Sequence, residues 1–320
     1  MKKFIIYAVA ALALVVSCQK NDGPGLGGDA VVKFTVAAGD VATKADIADG
    51  TNVDILYYEI YGDLAKAPLG KGNVTRTGGN FHVELKLVAD QIYNIIFWAQ
   101  VDGTDYYEWD DLRNVKIKFH TEDELANDED RAAFFRVYNF TTENGKVIDE
   151  DIYLFRPFAQ VNVGTTTIDT DLNLVDGGLK VTGSMMAFSN AATSFNTVKG
   201  IGEGEQEISF RLNSTPNGTL DQTSKILEVN KEYYFWLAMN YIIVAGDENN
   251  VKELTFDIET NVGTVSHKIA SVPVKENYRT NILGNILTTD AKFEIIVDNE
   301  FDGYYKGDTD GNFDPAVQLR

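Results

Sequence analysis

The sequence of 320 residues is poor in cysteine and in basic residues, and each shortage excludes or disfavours a class of protein or site. Cys18 is the one cysteine, so a disulfide within the chain and a site built from several thiolates are both excluded. With 28 basic and 48 acidic residues the formal net charge is −20, which argues against a nucleic-acid binder, because such proteins need a basic surface. The acidity favours solubility and mutual repulsion at an exposed surface.

The sequence has a single long apolar run, and it lies at the N-terminus. The 13 residues from Phe4 to Val16 follow two lysines; they are too few for a membrane span of about 20 residues but typical of a secretory signal. The stretch VVSC (15–18), which begins with the last two residues of this run, resembles the bacterial lipobox. We therefore predict a signal peptide over residues 1–17 and lipidation of Cys18, palmitate included, rather than a buried free cysteine.

Short segments rich in β-branched and aromatic residues, separated by Gly, Asn and Asp, fill the remaining chain. In VVKFTVA (31–37), alternation places Val32, Phe34 and Val36 on one face of a half-buried strand. Further strands of the first half are predicted at 52–62, 80–88, 91–101 and 114–119.

Strands outnumber credible helices, and the best helical candidate of the first half, residues 121–134, is mostly acidic and is expected to form a short surface element or a loop. The prediction is an all-β protein of two tandem β-sandwiches with a boundary near residues 150–160. Two aromatic strands, one in each half, are expected to supply core residues. The expected core positions on these strands are Ile95, Phe97, Tyr234 and Trp236.

No motif for catalysis or metal binding stands out. His82, His120 and His267 are scattered, and the sequence has no HExxH pattern, nucleophile elbow or P-loop. The acidic tail at 308–314 begins like a calcium loop but lacks the remaining ligand spacing, so calcium binding there stays open. We predict a protein that is not an enzyme and that has no cofactor and no metal.

Six segments of the chain are similar to segments of one known family. They are the lipobox, VVKFTV, TKAD (43–46), DGTNVDILYYEIYGD (49–63), LFRPFAQVNVGT (154–165) and YRTNILGNILTTDAKFEIIVDNEF (278–301). Together they resemble the fimbrillin family, the pilins of type V pili in Bacteroidetes. The resemblance implies two transthyretin-like Greek-key β-sandwiches, here residues 45–155 and 156–320, behind a lipidated segment at 18–44. It also implies an outer-membrane lipoprotein displayed at the cell surface, which becomes part of an extracellular pilus after processing.

The resemblance further implies assembly by strand exchange. A trypsin-like protease would cut between Lys44 and Ala45 and free the strand that carries Val32, Phe34 and Val36. A donor strand from another pilus subunit, near residues 291–304, would then enter the groove; its candidate side chains are Phe293, Ile295 and Val297. Better-known fimbrillins have arginine at the cut where this chain has lysine, so the identity of the protease stays open here. If the chain is cut elsewhere, Arg76 is the next arginine along it. If the pilus subunit also acts in adhesion, its partners would include ligands on host or bacterial surfaces.

Two other classes of function remain open. A surface glycan-binding lipoprotein would use exposed aromatic rings, and Tyr106, Tyr107 and Trp109 are its candidates, unless these residues cap a hairpin or belong to the core. Such a protein should keep its lipid and its first strand. A hydrolase would need titratable groups clustered in one concave pocket, which the sequence does not reveal.

Overall fold

The computed structural model describes residues 28–38, 50–120, 123–126, 128–166, 179, 181–212, 226–229, 232–246, 249–287 and 292–298. These residues form 21 strands and one short 3-10 helix, Glu129–Arg131. The prediction of an all-β sandwich protein is therefore confirmed.

The strands are numbered in chain order. Those up to Tyr153 are β1 (Asp29–Ala37), β2 (Ile55–Tyr61), β3 (Gly70–Thr75), β4 (Phe81–Val88), β5 (Ile92–Gln100), β6 (Tyr107–Glu108), β7 (Asn114–Ile117), β8 (Asp123–Leu125), β9 (Ala133–Thr141) and β10 (Val147–Tyr153). Those that follow are β11 (Ala159–Thr166), β12 (Val181–Ala191), β13 (Ser194–Asn196), β14 (Ile201–Glu203), β15 (Gln206–Leu212), β16 (Ile226–Val229), β17 (Glu232–Ile242), β18 (Asn250–Thr260), β19 (Gly263–Pro273), β20 (Arg279–Asn285) and β21 (Lys292–Asp298).

These strands form five sheets, named here by a central strand where possible. The β1 sheet has the order β10-β1-β4, and the β5 sheet has the order β3-β2-β5-β9. The β11 sheet has the order β16-β17-β11-β20-β21, and the β12 sheet has the order β19-β18-β12-β15-β8. The shared sheet, β14-β13-β7-β6, combines strands from both halves of the chain.

Three apolar clusters lie between these sheets. The N-terminal core, which contains Phe34 and Phe97, lies between the β1 sheet and the β5 sheet. The C-terminal core, which contains Phe256, lies between the β11 sheet and the β12 sheet. The middle core, which contains Trp98 and Phe195, joins the β5 sheet, the β11 sheet and the shared sheet. The β5 and β11 sheets are thus buried on both faces.

Strand β5 shows why its sequence, IYNIIFWAQ, is almost wholly apolar. Ile95 and Phe97 point into the N-terminal core, and the alternate residues Ile96 and Trp98 point into the middle core. All four are 0% exposed, so the expected core role of Ile95 and Phe97 is confirmed. A strand with two buried faces requires a continuous apolar run rather than alternation.

The corresponding aromatic strand of the second half, β17, also faces the middle core. Tyr234 packs there and is buried, as expected. Trp236 lies on the same strand, but its side chain lies outside the described residues.

The segment 121–134, the best helical candidate of the first half, contains short elements and no α-helix in its described part. Its described part forms β8, the 3-10 helix and the start of β9. Strand pairing prevails because β8 extends the β12 sheet beside β15, and because Phe134 and Phe135 point into different cores, as neighbours on a strand do. Glu124 is buried on β8 and forms an ion pair with the buried Arg131 of the 3-10 helix.

Strands from the two halves of the chain pair with each other, which two independent domains in tandem would not require. The chain passes from the β1 sheet to the β11 sheet between Tyr153 and Ala159, inside the predicted boundary region. Yet β7 pairs with β13, with Val115 opposite Phe195, and β8 pairs with β15. The domain limits 45–155 and 156–320 therefore stay a prediction.

Candidate functional site

The candidate site is the place of β1 in the middle of its sheet. β1 runs parallel to β10, with Phe34 opposite Glu150, and antiparallel to β4, with Phe34 opposite Val83. Both backbone edges of β1 are therefore paired along nearly its whole length. Without β1, strands β4 and β10 would each present an unpaired edge toward the same gap.

The inner face of β1 supplies a large part of the N-terminal core. Val32, Phe34 and Val36 are 0%, 1% and 0% exposed. The ring of Phe34 meets Phe97 and Phe140 edge-to-face, with ring centroids 5.6 Å and 5.3 Å apart. The gap that β1 fills thus has an apolar and largely aromatic floor.

Tyr138 completes this floor on β9. Its ring lies edge-to-face to Phe34, with the centroids 6.0 Å apart. Burial raises the pKa of Tyr138 above its ordinary value, and the charge of Glu150 raises it further. The phenol therefore stays neutral at physiological pH, and the floor carries no charge from this residue.

The outer face of β1 is polar. Lys33 lies opposite Glu84, and the two form an exposed ion pair with a distance of 3.6 Å between Nζ and Oε2. Thr35 lies opposite His82 on β4. The alternation predicted from the sequence thus separates a buried apolar face from a solvated one.

Backbone hydrogen bonds also fix both ends of β1. The carbonyl of Gly28 accepts a bond of 2.9 Å from the amide of Ala89, and the carbonyl of Ala37 accepts one of 2.9 Å from the amide of Leu154. β1 is therefore integrated into its sheet from end to end.

The processing residues lie elsewhere in the sequence. Cys18, Lys44 and Ala45 lie outside the described residues. The chain is described up to Ala38 and again from Gly50. The roles assigned to these three residues stay predictions.

The candidate donor residues Phe293, Ile295 and Val297 lie on β21, at the edge of the β11 sheet, where β20 is its one partner among the described strands. Phe293 and Val297 are 37% and 41% exposed. Ile295 packs against the C-terminal core, whereas the neighbouring Ile296 packs against the middle core. The structure thus places the donor candidates and β1 in different sheets of the same chain.

Tyr106, one of the three candidate sugar-stacking residues, is engaged within the protein. Its hydroxyl contacts the Asp128 carboxylate, and the Arg131 guanidinium lies 4.1 Å from its ring centroid. Burial, followed by the bond to Asp128, raises the pKa of Tyr106 to about 12. The phenol therefore remains a donor at neutral pH.

Tyr107 and Trp109 are engaged as well. The hydroxyl of Tyr107 donates to the carbonyl of Arg131, and its ring packs against the middle core. Trp109 lies edge-to-face to Tyr57, with ring centroids 4.9 Å apart. All three aromatic residues are partly buried, so this hairpin lends little support to a sugar-stacking platform.

The histidines do not converge. His120 contacts Asp105 at 2.9 Å, while Nε2 of His267 lies 2.7 Å from the carbonyl oxygen of Ile286. Within the described part of the chain, no group of three or more His, Cys, Asp or Glu side chains could hold a metal ion. The acidic tail at 308–314 lies outside the described residues.

A model of the family of unknown function DUF6562 matches residues 30–314. The chain belongs to this family. The match includes β1 from its second residue onward, every later strand and the segment that carries Lys44. None of the curated proteins matches the chain.

Solved structures share the fold of this DUF6562 protein at low sequence identity. One is a proposed polysaccharide binding protein from Bacteroides thetaiotaomicron VPI-5482, with a TM-score of 0.52, 15% identity and coverage of 85% of this chain and 96% of that chain. A proposed cell adhesion protein from Bacteroides ovatus ATCC 8483 has a TM-score of 0.50, 10% identity and coverage of 83% and 96%. A proposed adhesin from Bacteroides ovatus has a TM-score of 0.50, 12% identity and coverage of 83% and 95%. These matches agree, as a likeness of fold, with the resemblance to fimbrillin-like proteins of Bacteroidetes.

Among the described residues of this DUF6562 protein there is no helix with the length and hydropathy needed to span a membrane.

Arg76, which follows β3, contacts the chain on both sides of the segment 39–49, a role that the sequence did not indicate. Its side chain is used in these contacts and half-buried, so Arg76 is a poor alternative site for a protease that needs an arginine side chain.

Proposed function

We propose that this protein is a structural and adhesive subunit of a cell-surface type V pilus. It is exported as a lipoprotein through Cys18, held at the outer membrane, and assembled with other pilus subunits by protease-triggered strand exchange. The observation that carries the proposal is the position of β1, paired on both edges and inserted by three buried side chains into the N-terminal core.

The physical argument begins with the gap that β1 fills. Departure of β1 would expose the edges of β4 and β10 beside the aromatic floor of Phe97, Tyr138 and Phe140. Unpaired backbone groups next to an apolar floor form a strong template for addition of another strand. An incoming strand with alternating apolar side chains could restore both the ladders and the core.

Covalent linkage decides which strand occupies the gap. As long as residues 39–49 connect β1 to the rest of the protein, β1 competes from within the molecule at a high effective concentration. Residues 39–49 contain one basic residue, Lys44. A cut after Lys44 removes the intramolecular advantage, so a strand from a second subunit can compete without binding more tightly.

The C-terminal strand β21 is the proposed donor. Among the described strands it is paired on one edge only, and its side chains Phe293 and Val297 are more than one third exposed. Less of its surface would have to be withdrawn from its own sheet than in the case of β1, which is paired on both edges. Its alternating Phe293, Ile295 and Val297 suit a gap lined with apolar side chains.

The proposal is tested with Lys44→Ala in cells that display the protein. We expect the variant to be lipidated and folded but uncut and monomeric, while the wild type acquires Ala45 as its N-terminus and forms high-mass ladders. Lys66→Ala is the matched control, because Lys66 is an exposed loop lysine whose side chain is 79% exposed. N-terminal sequencing of surface protein and gel electrophoresis without boiling provide the two measurements.

Two results contradict the proposal. If Lys44→Ala polymerises as well as the wild type, Lys44 is not the trigger. If wild-type protein on intact cells keeps lipidated Cys18 and β1, the protein remains an anchored surface lipoprotein, as a glycan binder would.

A further inference from the structure

Arg76 makes an unusual set of contacts with the N-terminal part of the protein. Its Nε donates to the carbonyl of Gly79 at 2.8 Å, and Nη1 donates to the carbonyls of Gly50 at 3.0 Å and Val53 at 3.1 Å. The guanidinium also lies 5.7 Å from the ring centroid of Phe81, the first residue of β4. The side chain is therefore held in place by residues that do not belong to β1.

The remaining nitrogen of this guanidinium reaches the end of β1. Nη2 donates to the carbonyl of Ala38 at 2.7 Å, the shortest of these contacts. Ala38 follows the last residue of β1 and is 0% exposed. Hydrogen bonds from a charged donor are roughly twice as strong as neutral ones, and burial strengthens them further.

The contacts to Gly50, Val53 and Gly79 do not depend on β1, so they would persist if β1 left its sheet. The guanidinium would then remain at the end of the gap with its Nη2 directed at the position of the Ala38 carbonyl. The Arg76 side chain has already lost its conformational entropy in the folded protein, so the binding of a returning or incoming strand would not include that cost.

We propose that Arg76 is a positioning residue that anchors the C-terminal carbonyl of whichever strand occupies the gap between β4 and β10. In the uncut protein that strand is β1, and after strand exchange it is the donor. The second half of this inference rests on the proposed function, whereas the first half concerns β1 alone. Arg76 thus retains β1 after the connecting segment is cut and sets how fast the gap opens.

The test uses the full-length chain with residues 41–47 replaced by the recognition sequence of a site-specific protease. After complete cutting, native mass spectrometry follows the loss of the β1 fragment in excess synthetic peptide 28–38, with mild urea added equally to all samples if exchange is slow. Arg76→Gln should lose β1 at least about tenfold faster than the wild type, because a hydrogen bond from a charged donor contributes no less than the roughly 1.4 kcal/mol that corresponds to a factor of ten. Arg76→Lys, which keeps the charge but not the fork of donors, should lose β1 at an intermediate rate.

Arg113→Gln is the matched control. Arg113 donates in a similar way to the carbonyls of Leu64 at 2.7 Å and Lys66 at 3.0 Å, in the loop between β2 and β3. Arg113→Gln should therefore lower the free energy of unfolding of the uncut protein without accelerating the loss of β1 from the cut protein. Urea unfolding of the uncut variants shows whether each is folded before the cut.

Two amidated peptides locate the interaction at the carbonyl of Ala38. On the cut wild type, peptide 28–38 should bind about tenfold more tightly than peptide 28–37, which lacks that carbonyl. On cut Arg76→Gln the affinities of the two peptides should lie within twofold of each other. A contribution from the Ala38 methyl group would be the same in both proteins, so it would not produce this difference between wild type and variant.

Equal rates of β1 loss in the wild type and Arg76→Gln, or a peptide ratio that survives in Arg76→Gln, would overturn the inference. Failure of the proposed function would look different: β1 would leave in an Arg76-dependent manner, but the cut protein would form no polymer.

Discussion

Phe34→Ala tests how firmly β1 is held by its core contacts. Phe34 is 1% exposed and lies within 6.0 Å, between ring centroids, of three aromatic rings on β5 and β9. Replacement of a fully buried Phe by Ala costs about 3–5 kcal/mol. Ring pairs of this kind add to the effect of area burial, so the three edge-to-face neighbours keep Phe34 away from the lower end of this range, and we expect a loss of about 4 kcal/mol.

Urea unfolding of the uncut protein, followed by circular dichroism, measures this loss in the transition of the N-terminal sheets. Lys33→Ala is the control on the neighbouring position, because its ion pair with Glu84 is exposed and such pairs contribute about 0–1 kcal/mol. In the cut protein the same Phe34→Ala change should weaken retention of the β1 fragment by about a thousandfold, since each 1.4 kcal/mol is a factor of ten. A loss below about 1 kcal/mol in the uncut protein would refute the argument that β1 is a principal part of this core.

Two further predictions concern the core and the anchor. Phe97→Ala, which removes a ring that is 0% exposed from the floor beneath β1, should destabilise the uncut protein by about 3–5 kcal/mol in the same urea assay; a change within about 0.5 kcal/mol would contradict its core role. Cys18→Ala should abolish incorporation of labelled palmitate and leave the precursor short of the outer membrane; normal surface display of this variant would contradict the lipobox prediction.

The sequence predicts β1 and β5 well because each has a pattern with one physical explanation. Alternation in VVKFTVA places Val32, Phe34 and Val36 on one buried face, as found. The continuous apolar run of β5 marks a strand between two cores. Local pattern is sufficient in both cases, since the side-chain direction follows from position along a strand.

The partner of β1 could not be predicted in the same way. β10 has the sequence VIDEDIY, in which three consecutive acidic residues interrupt the apolar ones and Ile152 is the one fully buried side chain. It pairs with β1 in parallel across more than a hundred residues of sequence, with Val36 opposite Ile152. An edge strand whose outer face is solvated carries little hydrophobic signal, so the two-sided pairing of β1 appears only in the folded structure.

The same limit applies to Arg76 and to the region at 121–134. The contacts of Arg76 join residues from separate turns, and no local pattern records them. At 121–134 the mostly acidic composition predicts no more than a short surface element or a loop, whereas pairing with β15 and the burial of Glu124 with Arg131 determine the structure. Long-range pairing outweighs weak local preference in such segments.

The arrangement of layers explains how β1 could leave without unfolding the sheet beneath it. The floor of the gap belongs to the β5 sheet, which is packed on its other face against the middle core through Ile96 and Trp98. The shared sheet and the pairing of β8 with β15 connect this region to the second half of the chain. Loss of β1 removes contacts from one face of the β5 sheet only, so Phe97 and its neighbours would keep their backbone positions. Because the β5 sheet stays packed on its other face, the floor keeps the shape that an incoming strand must match. The incoming strand therefore has less conformational entropy of the floor residues to remove.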